Sequence, residues 1–143
     1  MPFFQEVIIT ENVTLNYFSI LLAALAYILF GILWYSPLLF GNRFIKYEDE
    51  QRYQEKPASL FCAYLGEVVI SFIISSGLAF FIALSGVGAY GGMVLAFLVW
   101  ICFVATTHFS VVLWSRKTGN FYIHSGFTFL GFILMGLTLG WLN

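Results

Sequence analysis

The chain has 143 residues, of which 61% are hydrophobic, 20% aromatic and only 9% charged, with a formal net charge of −1. Soluble domains carry roughly 25% charged residues, so a water-soluble globule is excluded, and so is the basic surface that nucleic-acid binding requires. The charges are clustered, leaving runs free of Asp, Glu, Lys and Arg from Asn12 to Asn42, Val68 to Ser115 and Thr118 to Asn143. A span needs about 20 apolar residues.

In chain order, the N-terminal stretch Met1 to Glu6 has no Lys or Arg, unlike the basic start of a cleavable signal peptide, and reads as retained. Asn12-Val13-Thr14 matches a glycosylation sequon but reads better as a helix cap, with Asn12 or Thr14 accepting from first-turn amides. The first span is expected over 15–36, ended or kinked by Pro37 because proline lacks an amide donor. Further spans follow over 58–84, 90–114 and 121–142, with loops at 37–57 and 115–120. Their length and lack of alternation make them helices, one of the two architectures that satisfy the backbone in lipid. The expected fold is therefore all-α, a single polytopic membrane domain over 1–143 with four transmembrane helices in a four-helix bundle.

All six basic residues fall between spans one and two or between spans three and four. By the positive-inside rule both of these loops are cytoplasmic and both termini face outward. Aromatics agree with this: Trp34, Tyr35, Trp114 and Tyr122 fall at the cytoplasmic level, and Tyr17, Tyr90 and Trp141 at the outer level. Tyr27 and Trp100 lie deeper and read as packed between helices. In the first loop, Glu48 and Arg52 form an i,i+4 pair on a short solvated helix or turn.

Three polar residues stand out inside the spans. Glu67 lies about 14 Å from the cytoplasmic end of its span, His108 about 11 Å and His124 about 6 Å, at 1.5 Å per residue. Glu67 and His108 thus match in depth and would pair if their helices adjoin. An intramembrane ionisable group is a functional candidate by default, and the plain alternative is a satisfied interhelical hydrogen bond. No HxxxH or HExxH spacing accompanies these residues, so no metal or cofactor is assigned. Ala63, Glu67, Ser71, Ser75, Ala79 and Ala83 recur every fourth residue along span two, and Gly136 and Gly140 form a GxxxG in span four. Small residues at that interval let backbones approach closely, within a chain or between chains. Gly86-Val87-Gly88-Ala89-Tyr90-Gly91 spells GxGxxG without a preceding strand and reads as a reversal between helices. Cys62 and Cys102 make no CxxC pair, and the hydroxyls of Thr106, Thr107 and Ser110 are expected to bond back to their own helix. No nucleophile has a defined base, so no enzyme activity is assigned.

The most specific string is Trp34-Tyr35-Ser36-Pro37-Leu38-Leu39-Phe40-Gly41. Physically it reads as a membrane exit: Trp34 and Tyr35 anchor at headgroups, Pro37 bends the chain, and Gly41-Asn42 stops the helix before Arg43. With Leu134-Met135-Gly136 and Gly140-Trp141 it resembles the small bacterial membrane proteins of domain-of-unknown-function family 1761. That resemblance, from Asn16 to Trp141, implies a four-helix integral membrane protein and carries no activity. The expected partner is the lipid bilayer of the bacterial inner membrane, crossed several times. Four short-looped spans leave little room for a hydrated path in one chain. Passage of an ion, a proton or a small solute, lined by Glu67 and His108, therefore calls for a homo-oligomer. The competing reading is a non-catalytic scaffold that binds lipid or a membrane partner through its small-residue stripes.

Overall fold

A computed structural model describes residues 14–44, 46, 60–115 and 120–142. Helix α1 is Tyr17–Trp34, α2 Leu60–Ser85 and α3 Ala89–Val99. A π-helical segment, Trp100–Ala105, joins α3 directly to α4, Thr106–Ser115, and α5 is Phe121–Leu142. Four stretches, Tyr17–Trp34, Tyr64–Ser85, Ala89–Trp114 and Phe121–Leu142, are long and apolar enough to cross a membrane. No strand occurs among the described residues. The charged stretch 47–57, with Glu48 and Arg52, lies outside the described residues, as do Asn12, Arg116 and Lys117.

The cap of α1 is neither Asn12 nor Thr14 but Asn16, whose side-chain oxygen accepts from the amides of Phe18 (3.1 Å) and Ser19 (3.3 Å). The cap stands immediately before the first helical residue, where two otherwise orphaned N–H groups point. The Asn16 amide nitrogen also donates to the carbonyl of Leu142 at 3.1 Å, tying the start of α1 to the end of α5. Helix α2 ends at Gly86, whose φ of +60° is left-handed, and whose amide donates to the carbonyl of Ile82 at 3.0 Å. The chain then reverses through Gly88 into α3.

Lipid tails are as apolar as leucine, so these helices associate through close packing and interhelical hydrogen bonds. Helix α5 is the hub, packed against α1, α2 and α3, and nine of its 22 residues are buried, whereas the third span buries only Gly92 and Ala96. Its seam with α3 is made of absent side chains. A Cβ on Gly136 would run into the Gly92 carbonyl oxygen and lie 2.6 Å from Ala96 Cβ, and one on Gly140 would lie 2.7 Å from the Gly88 carbonyl oxygen. The GxxxG of span four is thus spent within the chain. Against α1, Gly131 makes room for the Tyr27 ring, which is 4% exposed and sits 4.9 Å from the Phe127 ring. Between α1 and α2, Ser75 donates its hydroxyl proton to the Ile20 carbonyl at 2.8 Å, and Ala79 is buried beside it. Ser71 is fully buried and bonds its own helix at Val68 O, 2.8 Å away, while the side chain of Ala63 lies outside the described residues.

The third span is expected as one continuous helix, and the π-helical turns are a departure from that. Counting 3.6 residues per turn from Ala96, which is buried against α5, the next facing positions fall at about 103 and 107. A π turn inserts one extra residue and moves them to about 104 and 108. The burial follows the shifted register: Phe103 is 70% exposed and Val104 packs on the core. Further along, Thr107 is exposed and His108 half-buried. The hydroxyls of Thr106 and Thr107 donate to the carbonyls of Cys102 (2.7 Å) and Phe103 (2.5 Å), as expected for hydroxyls on an apolar helix.

Candidate functional site

At the end where α1 stops and α5 begins, the chain makes a compact turn. Tyr35 caps α1, and the Phe40 amide returns to the Trp34 carbonyl (3.1 Å) while the Gly41 amide returns to the Ser36 carbonyl (3.0 Å). A Cβ at Gly41 would run into the Tyr35 carbonyl oxygen and lie 2.8 Å from that of Ser36, so the turn closes only around glycine. Helical geometry resumes at 41–44, so Gly41-Asn42 opens a turn of helix where the sequence suggested a stop. Pro37 sits exposed in the turn, three residues after the last residue of α1.

This turn aims the two motif aromatics at α5 instead of at headgroups. Trp34 Nε1 donates to the Ile123 carbonyl at 3.1 Å, and its ring lies 4.5 Å from that of Phe40. Tyr35 Oη is hydrogen-bonded to His124 Nδ1 at 3.0 Å, with the Phe44 and Phe127 rings edge-on to Tyr35 at 4.9 and 5.3 Å. Tyr17, Tyr90, Trp141, Trp114 and Tyr122 are each at least 74% exposed, all at helix ends.

His124 in turn lies against His108 of α4, with ring centres 5.0 Å apart and planes tilted by 48°. His108 Nδ1 lies 3.5 Å from Ser125 Oγ, a long contact at the outer limit of a hydrogen bond. Tyr35, His124, His108 and Ser125 thus form one cluster drawn from three helix ends. One turn deeper, Trp100 Nε1 donates to Thr128 Oγ1 at 3.1 Å and the ring stacks edge-on to Phe129 at 4.9 Å.

Glu67 does not join this cluster. It is exposed on α2, and among the described residues no hydrogen bond or ion pair links it to His108, although the two match in depth. The physical reason is azimuth: α2 packs on α1 and α5, whereas α4 rests on α5.

Sequence reasoning singled out both histidines and Tyr35 separately but not their contact, and it missed Ser125 and Thr128. The available signal was the spacing of Phe127, Gly131, Met135 and Leu139, which marks the buried face of α5 and places His124 and Thr128 beside it. Chemically the cluster offers two imidazoles, a phenol and a hydroxyl. Among the described residues, the partners of the two histidines are the hydroxyls of Tyr35 and Ser125.

These features define an all-α protein with four membrane-crossing helices and a polar cluster at one end. The family described as "Protein of unknown function (DUF1761)" matches residues 18–140, and the chain belongs to that family. Neither the curated proteins nor the solved structures contain a match.

Proposed function

We propose that the chain passes an ion or small solute across the bacterial inner membrane as an assembly of several copies, with both basic loops in the cytoplasm and both termini outside. The observation that carries this is the exposure of Glu67 on a membrane-crossing helix. A charged acid facing hydrocarbon costs about 2.5–3.5 kcal/mol on the insertion scale, so the side chain calls for cover from another copy or from water. Among the described residues the interior is close-packed: Ala23, Ala24, Ala96, Met135 and Leu139 are each fully buried, and the glycine seam brings backbones into contact. The polar lining then lies between copies, with Glu67 facing the seam. The competing scaffold reading draws less support, because Gly136 and Gly140 are already engaged by α3 of the same chain.

Reconstitution in liposomes tests the proposal. The wild-type chain is expected to give a pH-dependent flux that Glu67→Gln abolishes, and to run as an oligomer in mild detergent. A strictly monomeric protein, or one with no flux for any ion or small solute tried, contradicts it.

A further inference from the structure

We propose that the outer face of α2 on one copy docks against the outer face of α4 on the next, with Glu67 of the first accepting a hydrogen bond from Ser110 of the second. The seam presupposes the assembly of several copies proposed above and names the two faces that meet in it. Three observations converge. The first is a pair of unspent polar groups. Glu67 is exposed on a membrane-crossing helix and, among the described residues, accepts no hydrogen bond. Ser110 is exposed on α4, and among the described residues its hydroxyl donates to nothing, whereas Thr106 and Thr107 donate to their own helix. In hydrocarbon each such group calls for a partner, and here one is an acceptor and the other a donor.

The second is level. Counted at 1.5 Å per residue from the Gly86–Gly88 turn, Glu67 lies about 27 Å along α2, and Thr107 and Ser110 lie about 27–32 Å along the third span. The two groups therefore share a depth. Within one chain neither finds the other, since α2 packs on α1 and α5 while α4 rests on α5.

The third is shape. On α2, Gly66, Ile70, Ile73 and Gly77 recur at intervals of four, three and four, none of them buried, and a Cβ on either glycine would meet nothing within 4 Å. From the π segment into α4, Phe103, Thr107, Ser110 and Trp114 repeat those intervals, and all four are exposed. A repeat of about 3.5 residues is the seam of helices packed side by side, and Glu67 holds the flanking position from which charged side chains reach across. The π segment builds the second stripe, because without its extra residue positions 103 and 107 would turn toward α5. At the level of Glu67 the small residues Gly66, Thr107 and Ser110 let the two backbones approach and bring hydroxyl to carboxyl.

Unlike faces meet, so the contact is heterologous and repeats from copy to copy, the geometry from which rings close. A two-fold seam of α2 on α2 would instead set carboxyl beside carboxyl, which like charge disfavours. Lipid tails offer Glu67 no donor at all.

The test uses the full chain in native membranes, with Cys62 and Cys102 replaced. Ile70→Cys and Phe103→Cys, at nearly equal distances from the Gly86–Gly88 turn, are placed on separate co-expressed copies and oxidised with copper phenanthroline. The mixture is expected to give a crosslinked dimer and either variant alone very little, while a chain carrying both substitutions gives a ladder of multimers. Gly66→Leu should cut the yield roughly tenfold or more with the thermal midpoint unchanged, since it fills the seam and nothing inside the chain. Glu67→Leu should cut it roughly tenfold, and Ser110→Ala about threefold. No dimer from the mixture, an equally strong dimer from Ile70→Cys alone, or an unchanged yield with Glu67→Leu overturns the seam. Flux without the crosslink overturns the seam alone, and the crosslink without flux overturns passage alone.

Discussion

At the residue scale, the Trp34–Gly41 turn shows how a glycine with ordinary backbone angles becomes irreplaceable. The constraint on Gly41 is the carbonyl oxygens of Tyr35 and Ser36, which occupy the space a Cβ would need. Gly41→Ala must therefore open the turn, at about 1–3 kcal/mol for an overpacked site, and release Tyr35 from His124. Gly66→Ala is the matched control, because nothing lies within 4 Å of the added carbon and alanine suits a helix interior better. Thermal unfolding in detergent should show a lowered midpoint for Gly41→Ala and an unchanged or raised one for Gly66→Ala; equal effects would refute the turn geometry. Trp34 and Tyr35 were legible as special from their place at a span end. That they face α5 was not, since their direction is set by a backbone turn that hydropathy does not encode. For Glu67, His108 and His124 the depths could be counted from helical rise. Which pair meets depends on azimuth, and in helices apolar nearly all round the sequence carries little phase signal outside α5.

At the element scale, three charge-free runs and an apolar run carrying only Glu67 pointed to four spanning helices, because the bilayer sets the length such a helix needs. The π segment was illegible for the same reason as azimuth: inserting one residue into a wholly apolar run leaves the hydropathy unchanged. The small-residue stripes were readable as contacts, but their partners were not. Gly136 meets Gly92 and Ala96, while Ser75 of the second stripe bonds α1. Gly136→Leu should accordingly separate α5 from α3 and destabilise the folded chain itself by about 3 kcal/mol, instead of merely dissociating copies. Gly77→Leu, at a position with nothing within 4 Å, should leave the folded chain intact. Size-exclusion profiles and thermal midpoints of the two variants check this, and a folded, dissociated Gly136→Leu monomer would contradict it.

At the scale of the whole molecule, the helices are close-packed at one end and divided in purpose at the other. Toward the Gly88 turn, backbones touch and Leu139 is fully buried. Toward Trp34, the start of α2 and the length of α4 stand largely exposed, with the histidine pair beside α5 and Glu67 on α2, which packs against α1. Trp34 pairs with Ile123 at this end, and Asn16 with Leu142 at the other, so the end of α1 and the start of α5 lie together here. The proposed arrangement puts the polar cluster and both basic loops at one face of the membrane. This is tested most directly by replacing Cys62 and Cys102, introducing Glu50→Cys or Lys117→Cys, and treating sealed, oriented vesicles with an impermeant thiol reagent. Both cysteines should be labelled from the same, cytoplasmic side; labelling from opposite sides would contradict the four-span arrangement.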